Sequence, residues 1–80
     1  MTLKELSEYI RLHNLETFNR NYSIESKETD NNIEILYFKH QSEYKPITIL
    51  IISKDIFPNL SEEYLDMLIQ IHIVLRNRSK

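Results

Sequence analysis

A chain of 80 residues with a formal net charge of −2 and no cysteine or glycine rules out several classes of protein at once. This length allows one domain, so residues 1–80 are expected to form a single small domain. Disulfides, Cys-based zinc sites and glycine-rich phosphate loops are excluded, and the balanced charge lacks the basic excess of a dedicated nucleic-acid-binding domain.

The first predicted element is a helix over about residues 3–13. Thr2 and Glu5 have the spacing of a capping box, in which each side chain accepts a hydrogen bond from the other residue's backbone. One helical face carries Leu3, Leu6, Ile10 and His13. The helix is expected to end at Asn14, which tolerates a left-handed backbone, with Leu15 folding back onto Ile10.

Three predicted strands follow, clearest over 21–28, 33–40 and 47–53. An alternating pattern begins at Phe18 and places Phe18, Tyr22 and Ile24 on one face of the first strand. Residues 29–32 are Thr, Asp and Asn, which favours a tight turn. Because the strands are joined by short connections, we expect an antiparallel meander.

A second helix is predicted over about 60–76, with Asn59 or Ser61 as its N-cap. One face carries Leu60, Tyr64, Leu68, Ile71 and Leu75, while Met67, Ile69, Ile73 and Val74 make the helix apolar nearly all round. Such a helix is usually buried on two sides. Alternation over residues 69–73 leaves a fourth strand within 68–76 as the alternative. The predicted fold class is α+β, in the order α-β-β-β-α, with a small three-stranded antiparallel sheet packed by two helices.

Histidine is the first residue type to consider for chemistry near neutral pH. His13 is expected to act as an imidazolium at the end of the first helix, His40 to be solvated, and His72 to pack beside isoleucines. Their separation in the sequence does not match a metal pair. We therefore predict no catalytic residue, no metal ligand and no cofactor, and do not expect an enzyme.

The pattern of Asp30 followed by Glu43-Tyr44-Lys45 resembles the metal-dependent nuclease core of the PD-(D/E)xK type. That resemblance implies two carboxylates holding Mg²⁺ and a lysine assisting the attacking water. In this sequence, however, the Glu-x-Lys lies in the polar segment 41–45 and Asp30 lies in a predicted turn. A nuclease-like protein is therefore the most remote functional alternative.

Apolar residues exceed what so small a fold needs, because strand 47–53 is apolar on both faces and helix 60–76 nearly all round. A contiguous exposed apolar patch usually marks an interface. We therefore expect a non-catalytic protein-binding module, a regulator or inhibitor, that forms a homodimer and also presents this surface to a protein whose identity the sequence does not give. The candidate contact residues are Ile49, Ile51, Met67, Ile71 and Val74.

A small nucleic-acid-binding regulator is the alternative from another class. Its phosphate contacts would come from basic side chains, and Tyr37 and Phe38 could stack on bases. The basic candidates are Arg20, Lys39, Arg76, Arg78 and Lys80.

Composition also bears on origin and location. The chain is rich in Ile, Asn, Lys, Glu and Tyr and lacks Gly and Ala, which indicates an AT-rich gene, as in low-GC bacteria and their phages or plasmids. Since no segment has the pattern of an export signal and the longest apolar run, 47–52, is too short to span a bilayer, a cytoplasmic protein without membrane contact is expected.

Overall fold

The structure, a computed structural model, describes residues 1–40 and 45–78, with the backbone alone for 77 and 78. Within these residues the chain forms two helices and three strands, with a short 3₁₀ turn after the first helix and another before the second. In chain order the elements are α1 (Leu3–Glu16), η1 (Phe18–Arg20), β1 (Tyr22–Glu28), β2 (Asn32–Lys39), β3 (Ile47–Ser53), η2 (Phe57–Asn59) and α2 (Glu62–Arg78). The predicted α-β-β-β-α order is confirmed, and residues 68–76 are helical rather than a fourth strand.

The strands form one antiparallel sheet in the order β1-β2-β3. Ile24 of β1 lies opposite Tyr37 of β2, and Ile33 of β2 lies opposite Ile52 of β3. A register shift between Ile35 and Leu36 interrupts the pairing with β3. These isoleucines and Tyr37 therefore point to one face of the sheet, which is the face that the helices cover.

A single core lies between that face and the two helices. α1 packs on β1 and α2 packs on β3. The core side chains are Leu6, Tyr9, Tyr22, Ile24, Ile33, Ile35, Tyr37, Ile52, Phe57, Leu65, Ile69 and Ile73. Among the residues that the structure describes, no helix packs on the opposite face of the sheet.

The capping box that starts α1 is confirmed. The Glu5 amide donates to the Thr2 hydroxyl at 3.1 Å, and the Thr2 amide donates to the Glu5 carboxylate at 3.0 Å. These bonds satisfy two of the amide groups that a helix start leaves without partners.

Helix α1 ends at Glu16, beyond the predicted stop, because Asn14 stays helical and uses its side chain elsewhere. The Asn14 amide nitrogen donates to the Ile24 carbonyl, and its oxygen accepts from the Ile24 amide, both at 2.9 Å. Asn14 thus acts as a two-bond clip on the outer edge of β1. Leu15, expected to fold back onto Ile10, is an exposed helical residue instead.

The prediction for Phe18 was also wrong. Phe18 lies in η1 and its side chain is 71% exposed. Asn21 has a left-handed backbone with φ of 61°, which redirects the chain so that β1 begins at Tyr22. The alternation in the sequence therefore begins before the strand does, since residues 18–21 form a turn.

The start of α2 settles the choice between the two predicted N-caps. The Tyr64 amide donates to the Ser61 hydroxyl at 3.2 Å, whereas Asn59 lies in η2. Ser61 therefore caps α2.

Both helices run in the same direction. The backbone nitrogen of Met1 donates to the Leu60 carbonyl at 3.0 Å, and the Tyr9 hydroxyl donates to the Asp66 carboxylate at 2.6 Å. The molecule therefore has two distinct ends. One holds the starts of both helices and the β1–β2 turn, and the other holds the ends of both helices and the start of β1.

Candidate protein-binding surface

Two apolar stripes lie on opposite sides of α2. Leu65, Ile69 and Ile73 recur every fourth residue and are buried against the sheet. The second stripe, which we call the α2 outward stripe, consists of Tyr64, Met67, Ile71 and Val74, each about half exposed. At about 100° per residue the two stripes are centred roughly half a helical turn apart, so the second one points away from the core.

A polar flank runs along α2 between the two apolar stripes. Glu63, Asp66 and Gln70 lie on one flank, and Asp66 is held there by the hydrogen bond from Tyr9. The sequence predicted that α2 would be buried on two sides. In the described part of the chain, the sheet covers one side and the outward stripe remains in contact with water.

The five predicted contact residues do not form one patch. Met67, Ile71 and Val74 lie together on the α2 outward stripe. Ile51 is 61% exposed but lies opposite Glu34, on the sheet face away from the helices. Ile49 is partly buried against the core. The structure therefore groups three of the five and separates Ile51 from them.

Ile49 lines an open cleft between β3 and the last turns of α2. The cleft has a volume of about 370 Å³, and its other walls are Thr48, His72, Leu75 and Arg76. Leu75 is exposed beside the outward stripe, so the cleft extends the stripe towards β3. His72 lies partly buried beside aliphatic residues, as its flanking isoleucines predicted.

The uncovered face of the sheet is mixed in character. Leu36 is half-buried there, opposite Thr48, which donates to the Glu34 carboxylate at 3.1 Å. The Phe38 ring lies 5.9 Å from the His40 ring. Since charged and hydroxyl side chains separate the apolar ones, this face resembles an ordinary solvated sheet surface more than an interface core.

The sequence reasoning missed a shorter apolar group at the end of α1. Leu12, Leu15 and Phe18 are all exposed and recur at intervals of three. That spacing, off the face that carries Leu6 and Ile10, was the signal that could have revealed them. The sequence did not predict this group because Leu15 was expected to pack on Ile10 and Phe18 to lie in the first strand.

Basic residues gather at the end of the molecule where both helices end. Arg20 closes η1, and the hydrogen bond from the His40 amide to the Asn21 carbonyl, 2.9 Å, brings Lys39 to the same end. Arg76 is near enough to Tyr37 that its positive charge opposes the rise in the pKa of that phenol caused by burial. Arg78 is in the last turn of α2, and Lys80 lies outside the described residues.

Acidic residues gather at the opposite end. Glu62 and Glu63 form the first turn of α2. Glu28 and Asp30 lie at the β1–β2 turn, where Lys54 pairs with Glu28 at 2.8 Å. The net charge of −2 therefore conceals a segregation of charge along α2, acidic at its start and basic at its end.

The buried titratable residues His13, Tyr9, Tyr22 and Tyr37 lie in one aromatic cluster. The His13 ring lies 5.9 Å from both the Tyr9 and Tyr22 rings, and Tyr22 lies 5.2 Å from Tyr37. Burial lowers the pKa of His13, so the neutral imidazole is favoured and the predicted imidazolium is wrong. Burial and the Asp66 carboxylate raise the pKa of the Tyr9 phenol, which keeps its proton in the bond to Asp66.

The residues of the nuclease resemblance are not assembled into one site. Asp30 lies between β1 and β2, whereas Lys45 precedes β3 at the other end of the sheet. The length of β2 separates Asp30 from Lys45, because each of its eight residues extends the strand by about 3.3 Å. Glu43 and Tyr44 lie outside the described residues. Across residues 1–40 and 45–78 no group of three or more His, Asp or Glu side chains could hold a metal ion.

Comparison of the chain with protein-family models, with curated proteins and with solved structures gives no match. Neither α1 nor α2 has the length and apolar character needed to cross a membrane.

Proposed function

We propose that this protein is a non-catalytic protein-binding module, a regulator or inhibitor, whose contact surface is the α2 outward stripe. The observation that supports this most is the alignment of Tyr64, Met67, Ile71 and Val74, each half exposed, on a helix already buried on its other side. A partner that covers the exposed half of such a side chain gains about 1 kcal/mol from each. Tyr64 belongs to a residue type enriched among the side chains that dominate binding energy.

The proposal places the protein in the cytoplasm of a host with an AT-rich genome, or in a phage or other mobile element that it carries. It includes self-association as a homodimer. The cleft beside Leu75 and Ile49 would receive the margin of whatever chain covers the stripe, because it continues the apolar surface towards β3.

The experiment is a capture from cell extract with matched variants. Met67→Glu places a charge in the middle of the stripe, whereas Gln70→Glu places the same charge on the polar flank of the same helix. We expect wild type and Gln70→Glu to retain the same bound protein and Met67→Glu to lose it, with all three equally folded by circular dichroism. Equal retention by all three variants, or no retained protein for any, would refute the proposal.

The basic end of the molecule supports a second candidate, a small nucleic-acid-binding regulator. Arg20, Lys39 and Arg76 lie at one end, where they could contact phosphates. Each phosphate contact adds to the steepness with which affinity falls as salt rises. Replacing Arg20 and Lys39 by Gln should reduce that salt dependence, whereas Lys4→Gln, on α1 near its start, should not. Absence of binding to both single- and double-stranded probes at low salt ends this candidate.

A further inference from the structure

We propose that the open cleft between β3 and the last turns of α2 binds a small carboxylate that carries a short aliphatic chain. This site is separate from the α2 outward stripe, because His72 and Arg76, which form its polar wall, face β3. The cleft volume of about 370 Å³ is at the lower end of the range, about 300 to 1,000 Å³, in which ligand sites usually fall. A ligand with only a few carbon atoms has the size that fits.

An irregularity in β3 forms one wall of the cleft. Ile35 pairs with Leu50 and Leu36 pairs with Thr48, so Ile49 is an extra residue without a partner on β2. Neighbours in a regular strand point to opposite faces, yet Thr48 and Ile49 both line the cleft. Bulges of this kind redirect side chains and are common beside binding sites.

The hydrogen-bond donors that the cleft offers a ligand are on α2. His72 and Arg76 are four residues apart and therefore lie one turn apart on the same side of the helix. The Arg76 guanidinium can donate two parallel bonds to a carboxylate, and a ring nitrogen of His72 can donate to the same group. Arg76 also interacts within the chain, but its five N–H donors allow it to hold a carboxylate as well. The Thr48 hydroxyl instead donates to Glu34 on the uncovered face of the sheet.

Two aliphatic side chains complete the cleft. Ile49 is partly buried against the core, and Leu75 is exposed at the outer margin. An inorganic anion such as phosphate would leave these walls in contact with water. An aliphatic alcohol would cover them but would give Arg76 no charged acceptor. A cationic wall beside an aliphatic wall therefore selects a carboxylate attached to a short hydrocarbon chain.

The test is a titration of the full chain with hexanoate, followed through the amide signals in NMR spectra. We expect saturable shifts at Ile49, His72 and Leu75, with a dissociation constant in the millimolar range that suits so small a ligand. Hexanamide has the same chain without the charge and should bind about tenfold more weakly. Acetate and phosphate, which lack the chain, should also bind about tenfold more weakly. Shifts that do not saturate, or equal binding of hexanamide, acetate or phosphate, would overturn the proposal.

Substitutions at the two walls provide the second test. Arg76→Gln should weaken hexanoate binding about tenfold, whereas Arg11→Gln, which removes a guanidinium from the outer side of α1, should not change it. Leu75→Ser should weaken binding severalfold, whereas Leu12→Ser, at another exposed leucine, should not. The amide spectrum of each variant shows whether it is folded. Unchanged affinity in folded Arg76→Gln contradicts the proposal, and if that variant does not fold, the comparison of hexanoate with hexanamide on wild type decides.

A free small acid and the C-terminus of a peptide offer the same chemistry, and one further ligand distinguishes them. A peptide that ends in leucine with a free carboxylate should bind more tightly than hexanoate if the natural ligand is a chain terminus, and more weakly if it is a free acid. The same peptide ending in a carboxamide should bind weakly in both cases. Met67→Glu, on the outward stripe, should bind hexanoate as wild type does, so this site and the proposed protein-binding surface can fail separately.

Discussion

α1 and α2 pack on the same face of the sheet, run in the same direction, and each buries one stripe of side chains against it. They differ on their outer sides. The outer side of α1 carries Lys4, Glu8 and Arg11, and Arg11 pairs with Glu8. The outer side of α2 carries the outward stripe. Leu12 and Leu15 are also exposed, beyond these charged residues towards the end of α1, whereas the outward stripe on α2 extends from Tyr64 to Val74.

The two edges of the sheet differ in the same sense. Beside α1, the edge strand β1 has the backbone of Ile24 occupied by the side chain of Asn14. Beside α2, β3 pairs with β2 alone among the strands the structure describes. Unpaired edges are places where another chain can add. The β1 edge is therefore closed at Ile24, and we propose the side of the molecule built on α2 as the one that binds a partner.

The largest expected effect separates the two sides of α2. Ile69→Ala should lower the free energy of unfolding by about 3 kcal/mol, because Ile69 is 0% exposed and its removal leaves a cavity. Ile71→Ala, at a position 47% exposed, should cost under about 1 kcal/mol when measured by urea unfolding of dilute protein. Equal losses for the two variants would mean that the stripe belongs to the core.

The clip on β1 should give the next largest effect. Asn14→Ala removes two hydrogen bonds of about 1 kcal/mol each, so unfolding should become easier by about 2 kcal/mol. Asn19→Ala, an exposed asparagine in η1, is the matched control and should be nearly neutral. If the two substitutions cost the same in urea unfolding, the closed edge plays no part in stability.

The link between the helices is expected to contribute less. Tyr9→Phe removes the hydrogen bond to the Asp66 carboxylate, a bond to a charged acceptor, and should cost about 1.5 kcal/mol. Tyr64→Phe removes a hydroxyl from the outward stripe and should leave the stability of the monomer unchanged. If Tyr64→Phe cost more than Tyr9→Phe in thermal or urea unfolding, the hydrogen bond from Tyr9 to Asp66 would not be the one that stabilises the packing of the helices.

The smallest effect is a pH dependence from His13. Burial lowers its pKa below the ordinary value of 6.5, so the unfolded chain binds the proton more readily than the native chain does. The contribution of His13 to stability is therefore fully present above pH 6.5 and declines as the pH falls from there towards the lower folded pKa. His13→Phe should flatten this part of the stability profile. A profile in the variant that is as steep as in wild type would assign the dependence to other groups.

Local sequence patterns predicted the helices and strands well where the residues that define them interact only with their neighbours in the sequence. Thr2 and Glu5 had no competing partner and formed their capping box, and β3 has the predicted bounds, 47–53. The errors arose where a distant segment changed the role. Asn14 was read as a helix stop, but the backbone of Ile24 uses its side chain, and no local pattern reveals a partner ten residues away.

Only part of the candidate surface could be predicted, because local spacing determines some of its residues and the pairing of distant segments determines the others. The helical period identified Met67, Ile71 and Val74 as surplus apolar residues, because their spacing alone sets which side of a helix they share. It could not place Ile51, whose side of the sheet depends on pairing with Glu34. The segregation of charge was also hidden, since Arg20, Lys39 and Arg76 come to the same end of the molecule only once the chain has folded.

The most direct measurement is the molar mass in solution, by light scattering over a range of concentrations, for wild type, Ile71→Glu and Gln70→Glu. The account predicts that wild type and Gln70→Glu rise from the 9.7 kDa of one chain towards twice that mass, and that Ile71→Glu, folded, stays at 9.7 kDa. A wild-type mass of 9.7 kDa at every concentration, or an Ile71→Glu curve that follows wild type, would contradict the assignment of the α2 outward stripe as a self-association surface.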